Sequence, residues 1–174
     1  MSVRAALLQM TSSDDPADNL RTVSDMLRDA RANCARFALT PEVTNCVSTS
    51  RSHQNAVLHF ETDDPTLAGL RALCAELGIW LLIGSLGLKT GDADGRFANR
   101  SILIDDTGAI VARYDKIHMF DVDVSPEETY RESDGFRPGT QAVVADTPFG
   151  KVGMTVCYDV RFAHLHRALA KAGA

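Results

Sequence analysis

Apolar positions along the chain alternate between two kinds of run. Val3 to Met10 is short and mostly apolar, the pattern of a buried strand. Asp15-Pro16 then combines a carboxylate N-cap with a proline at the first helical position, and Leu20, Val23, Leu27 and Ala30 follow at helical spacing. Phe37 to Leu39 predicts the next strand. Asp64-Pro65 repeats the start signal; Leu67, Leu70, Cys74 and Leu77 form an apolar face, and Gly78 predicts the stop. Ile79 to Ile83 predicts a third buried strand. Strands alternating with helices of this length imply an α/β sheet carrying helices.

Beyond residue 100 the pattern changes. Ser101 to Asp105 and Ile110 to Tyr114 predict a hairpin turning at Asp106-Thr107-Gly108. Asp115 to Gly139 is long, polar and without clear periodicity, and loops of that length are often functional. Ala142 to Ala145 and Val152 to Val156 are expected to resume the sheet around a turn at Pro148 to Gly150. A final helix carries Phe162, Leu165 and Leu169 on one face. With no repeat, linker or low-complexity stretch, residues 1–174 are expected to form one domain.

Composition adds mainly exclusions. The 174 residues are 45% hydrophobic and 24% charged, an ordinary globular balance, and the formal charge of −5 comes without a basic stripe. Nucleic acid and anionic membrane surfaces are therefore poor partners. No apolar run approaches the roughly 20 residues that span a bilayer. The start of the chain lacks the features of a signal peptide, so a cytoplasmic protein is expected. The four cysteines form no CxxC pair. Cys34 and Cys74 are expected to be small buried hydrophobes.

Cys157 stands apart. A predicted strand runs into it, and Asp159 is placed to cap the helix that follows. The partial positive charge of a helix start favours a thiolate, and backbone N–H groups at such a turn suit an oxyanion. A core cysteine at a strand end is the plain alternative. A cysteine nucleophile needs a base. His118, His164 and His166 are available, although the last two follow Cys157 on its own helix and are expected to be solvated. Glu42, in Thr40-Pro41-Glu42, lies just past a strand end, where sites collect in open α/β sheets. Lys116, after another strand, could supply fixed positive charge. A carboxylate-rich metal site of His118, Asp121 and Asp123 is a competing arrangement with unspecific spacing.

Taken in order, LTPE ending at Glu42, YDKIHMFD containing Lys116 and GMTVCYDVRF containing Cys157 resemble the nitrilase (carbon–nitrogen hydrolase) superfamily. Gln9-Met10, Asn99 to Leu103, Tyr130 to Ser133 and Pro138-Gly139 are similar to it too. The resemblance implies an α-β-β-α sandwich, here incomplete at its C-terminus. It implies a Glu42–Lys116–Cys157 triad with Glu132 as a second glutamate. Glu42 would be the base and Cys157 the nucleophile. Lys116 and the Tyr158 N–H would hold the oxyanion, and Glu132 would orient the amide or assist proton transfer. No metal or organic cofactor is implied. The substrate would be a small-molecule amide, with ammonia released through a thioester. The wording of residues 116–133 is similar to the ω-amidase and deaminated glutathione amidase branch, with N-carbamoyl or nitrile hydrolysis as the alternative. Arg161 is open between meeting a substrate carboxylate and pairing with the acidic loop. Relatives imply a homo-oligomer. The chain stops soon after the nucleophile helix, so it is expected to be a truncated domain, poorly soluble alone, whose alternative role is that of an inactive interaction module.

Overall fold

Short-range signals account for the first half of the fold. The computed structural model describes residues 2–174. Strand β1 (Ala5–Leu7) is shorter than the apolar run around it, and helix α1 (Pro16–Ala32) begins where the Asp15-Pro16 pair predicts. The Asp15 carboxylate accepts the Ala17 N–H at 2.8 Å and so satisfies an otherwise orphaned donor. Strand β2 (Phe37–Leu39) follows, then a short helix α2 (Arg51–Val57) capped by Ser50. Helix α3 (Pro65–Leu77) ends at Gly78, whose φ of 59° is left-handed. The sequence gives no hint of α2, because none of its side chains is buried and it has no apolar stripe. Cys34 differs from expectation as well. It is exposed at φ 64°, just past the end of α1, where a backbone reversal rather than burial fixes its place.

Strands β3 (Trp80–Lys89), β4 (Phe97–Ile104) and β5 (Ile110–Asp115) complete the main sheet. The order is β1-β2-β3-β4-β5, parallel as far as β3 and antiparallel beyond it. Alternation along the strands splits the core in two. On one face Leu81, Ile83, Ile102 and Ile104 pack against Val23, Leu27, Leu70 and Cys74 of α1 and α3. On the other, Trp80, Leu103 and Tyr114 meet Ala145, Met154 and Val156.

That second face is covered differently from expectation. The long polar segment is not one loop. It holds a hairpin, β6 (Asp121–Ser125) with β7 (Glu128–Arg131), then a four-residue helix α4 (Glu132–Gly135) and a two-residue strand β8 (Phe136–Arg137) that pairs with the start of β4. Strands β9 (Val144–Thr147) and β10 (Gly150–Gly153) do not resume the main sheet. They form a separate two-stranded sheet stacked over it. Helix α5 (Ala163–Lys171) packs on the far side of this hairpin, where a Cβ at Gly153 would lie 3.1 Å from that of Leu169. The layers are therefore helix, sheet, sheet, helix, the expected sandwich. Periodicity could not separate a main-sheet strand from a second-layer strand, because both are short apolar runs. Among the described residues no helix is long and apolar enough to cross a membrane.

Candidate active site

Three strand ends and one turn converge on a pocket of about 470 Å³. Glu42 sits in the turn after β2, and this turn is bolted to an irregularity in β3 between Ile83 and Leu86. The Val43 N–H donates to Ser85 Oγ at 2.7 Å, and the Thr44 N–H to Ser85 O at 2.8 Å. Gly84 allows the approach: a Cβ there would lie 2.2 Å from Thr40 O and 2.5 Å from Pro41 O. A bulge of this kind re-aims side chains at a strand end. Val43 is held at φ 42°, an uncommon conformation for a β-branched residue.

Lys116 lies one residue past β5. Its N–H donates to Asn99 O at 2.9 Å, and its own carbonyl accepts the Gly139 N–H at 2.7 Å. Gly139 is required for that strap, since a Cβ would fall 2.1 Å from Asp115 O. The ammonium is almost fully buried. It donates to Glu42 Oε1 at 2.9 Å and to both oxygens of Glu132 at 2.9 and 2.8 Å. Burial alone would push this ammonium down, but the Glu132 and Glu42 carboxylates outweigh it and hold the group above its ordinary value, fully charged. Glu132 opens α4, directly after the hairpin that sequence periodicity missed, and its Oε2 accepts the Phe120 N–H at 2.6 Å.

Cys157 opens a five-residue 3₁₀ turn, Cys157–Arg161. Val156 is extended and Cys157 has φ 47°, so the chain makes a sharp, left-handed elbow that presents the sulfur to the pocket. The thiol and the Glu42 carboxylate face the same pocket, and the carboxylate acts on the thiol there. Here the structure corrects an expectation. The thiolate is not favoured at rest. Desolvation and the negative charge of Glu42 push the thiol up, against the opposing pull of Lys116. One short 3₁₀ turn has little macrodipole, and two carboxylates outnumber one ammonium.

Asp159 is a second correction. It does not cap α5, whose N-cap is Phe162. It is instead buried and gathers four donors: Tyr114 OH at 2.6 Å, Val156 N–H at 2.9 Å, His118 N–H at 3.1 Å and the His118 ring Nδ1 at 2.6 Å. Burial would raise this carboxyl, and the donations from Tyr114, Val156 and His118 overcome it and hold it low. Tyr114 and His118 flank Lys116 by two residues on either side, and Asp159 lies two beyond Cys157. The carboxylate therefore locks the lysine segment to the cysteine elbow. Asp159→Ala should cost about 3 kcal/mol or more at neutral pH, because several buried donors lose their acceptor. A depressed carboxyl contributes stability that fades as pH falls through its folded value, so the gap to wild type should narrow in acid. Urea unfolding of both proteins in both conditions checks this, and a loss below about 1 kcal/mol at neutral pH would overturn it.

The histidines are not placed to act as the base. His118 is engaged with Asp159 and stacks on Phe162, ring centroids 3.6 Å apart, while His164 and His166 are exposed on α5. The competing metal arrangement is not assembled either. His118 turns to Asp159, Asp121 accepts the Ser133 N–H and Asp123 pairs with Arg131. Tyr158 packs its ring edge-on to Phe120 and Phe162, with the site but not on the pocket wall. Arg161 is exposed at the end of the turn and does not line the pocket; the arginine that does is Arg131. Asn99 also lines it, bonded to both glutamates. Its signals in the sequence are a polar Asn-Arg-Ser run inside a strand and its place in the Asn99 to Leu103 segment.

Comparison with known proteins agrees with this geometry. Residues 4–174 match the carbon-nitrogen hydrolase family. The deaminated glutathione amidase of Yersinia enterocolitica is 36% identical over 176 residues, which covers 99% of this chain and 60% of that protein. The Caenorhabditis elegans NitFhit protein superposes with a TM-score of 0.88 at 29% identity, covering 100% of this chain and 43% of that one. A glutamate-to-glutamine variant of the amidase from Nesterenkonia sp. AN1, with acrylamide added at its active-site cysteine, gives a TM-score of 0.81 at 28% identity, covering 99% of this chain and 64% of that one. The chain spans between 38% and 60% of the length of the curated relatives it matches. With the family matched across nearly its whole length and the sandwich in place, this chain belongs to the carbon–nitrogen hydrolase family.

Proposed function

We propose that the protein hydrolyses the C–N bond of a small linear amide through a thioester on Cys157. The observation that carries this reading is the convergence of Glu42, Lys116 and Cys157 on one pocket, with Glu42 bonded to the Lys116 ammonium at 2.9 Å and its charge acting on the thiol. A thiol that rests neutral needs a base at the moment of attack, and Glu42 is the carboxylate whose charge it feels most.

Cys157 Sγ attacks the amide carbon as its proton passes to Glu42. The carbonyl oxygen becomes an oxyanion, held by Lys116 Nζ and by the Tyr158 N–H at the start of the turn. At rest the Lys116 donors are all spent on carboxylates, so the oxyanion would replace one of the two bonds to Glu132. Glu42 then returns the proton to the amide nitrogen, the C–N bond breaks, and ammonia or an amine departs. Water enters, gives a proton to Glu42 and attacks the thioester. The C–S bond breaks, Glu42 returns its proton to the sulfur, and the acid leaves. Glu132 holds the substrate amide. The residues supply each proton acceptor and donor, so no cofactor enters the scheme.

The pocket volume suits a small molecule. Val43, Phe120 and Phe136 give it an apolar wall for a short carbon chain. Similarity to the deaminated glutathione amidase favours the amidase branch over nitriles or N-carbamoyl amino acids. The test is a panel of primary amides, a nitrile and an N-carbamoyl amino acid given to the intact protein, with ammonia release as the readout. Amides should be turned over at least tenfold faster than the others, about 1.4 kcal/mol of discrimination. A preference for the nitrile or the carbamoyl compound would refute the reading.

A further inference from the structure

We propose that Asn99 is a positioning residue of this site, holding the Glu42 and Glu132 carboxylates at a fixed spacing around Lys116. The inference rests on the hydrolase reading above. Asn99 Nδ2 donates to Glu42 Oε1 at 2.7 Å and to Glu132 Oε1 at 3.2 Å. Lys116 Nζ donates to the same two oxygens, each at 2.9 Å. Two donors and two acceptors thus alternate around a closed ring. Without the amide, the two glutamates would share a single ammonium, and Glu42 would be free to swing away from the thiol.

Asn99 is 2% exposed, yet its Oδ1 has no hydrogen-bond partner. A buried polar atom left unpaired in this way costs about 1–3 kcal/mol and calls for a reason. The side chain forgoes one bond so that both its N–H groups face carboxylates. Reversing it would set Oδ1 against two negative groups. The backbone beneath is pinned. Asn99 O accepts the Lys116 N–H, and the next residue, Arg100, grips Asp115 at 2.6 and 2.9 Å and Glu61 at 2.7 Å. Alternation along β4 puts Arg100 on a different cavity from Asn99.

The residue type fits the task. The charged groups facing Asn99 are Glu42 from the turn after β2, Glu132 from α4 and Lys116 beyond β5, with Cys157 behind Glu42 and Arg131 at the pocket wall. A second cation here would neutralise the pair and weaken Glu42 as a base. A third carboxylate would repel both. A neutral donor orients the two without either effect.

The test uses Asn99→Leu and Asn99→Ser in the intact protein. Asn99→Leu should lower kcat about 100-fold, the cost typical of a misplaced catalytic group, with KM changed far less. A carboxylate that loses a donor holds its proton more tightly, so the acid limb of the kcat/KM profile should move to higher pH. A merely structural role would lower stability and leave that limb in place. Asn99→Ser keeps one hydroxyl donor and should move the limb less and recover part of kcat. If the wild type hydrolyses no amide, the hydrolase reading fails by itself. The inference is then read from the pH dependence of Cys157 alkylation by iodoacetamide, where a Glu42 carboxylate no longer held beside the thiol should move the profile to lower pH, and an unmoved profile overturns the proposal. Should Asn99→Leu not fold, Asn99→Ser decides. An acid limb unmoved in a folded variant overturns the proposal.

Discussion

Glu42→Gln should lower kcat by about 10³-fold or more, whereas His118→Ala should cost less than about tenfold. Glutamine keeps the shape of the side chain and can still bond Lys116, but it cannot take the thiol proton. That loss matters because the Cys157 thiol is pushed up by desolvation and by Glu42 itself, so little thiolate exists without a base. The general-base contribution is typically about 10²–10⁴-fold, and the same glutamate would serve both halves of the reaction. His118 cannot substitute, since its ring nitrogen is committed to Asp159 and its face to Phe162. Steady-state ammonia release from both purified variants, each shown to be folded by circular dichroism, checks the ranking. If His118→Ala proved the more damaging, the mechanism would be of the cysteine–histidine type.

Cys157→Ala should abolish turnover and leave the fold intact. The elbow places a non-glycine residue at φ 47°, and alanine meets the same left-handed penalty as cysteine, so the backbone cost cancels. The sulfur is on an accessible residue and makes no contribution to the buried core, so its removal opens no cavity. Intact-mass measurement under substrate should show an acyl adduct on the wild type and none on the variant. Residual ammonia release above about one part in 10³ of wild type, from a folded variant, would place the nucleophile elsewhere.

How much of this was legible in the chain depends on the reach of each signal. The helix starts at Asp15-Pro16 and Asp64-Pro65 and the stop at Gly78 involve residues within four positions of one another, and the structure places them as the sequence predicts. The β4–β5 hairpin was legible for the same reason, through its Asp106-Thr107-Gly108 turn. The hairpin of β6 and β7 was not. Its strands are short and mostly exposed: Asp121 to Val124 does alternate, but Val124 faces solvent and β7 buries nothing, so no core face marks the pair, yet it leads into Glu132 at the start of α4.

The sequence by itself determined the residue types and their order: a glutamate, a lysine, a second glutamate and a cysteine, each beside a strand end or turn, within an α/β pattern. Only the tertiary structure decided how they meet. Glu42 and Lys116 are 74 positions apart, Asn99 and Glu42 are 57, and Asp159 and Tyr114 are 45. It also decided that Asp159 is a buried lock rather than a helix cap, and that Arg131 rather than Arg161 reaches the pocket. The resting state of the thiol was decided there too. Position along the chain suggested a helix start and a thiolate, but the charge on sulfur depends on every group within a few ångströms. The bulge at Gly84 and the strap at Gly139 bring Glu42 and Lys116 to it, because only a residue without a Cβ lets those backbones approach.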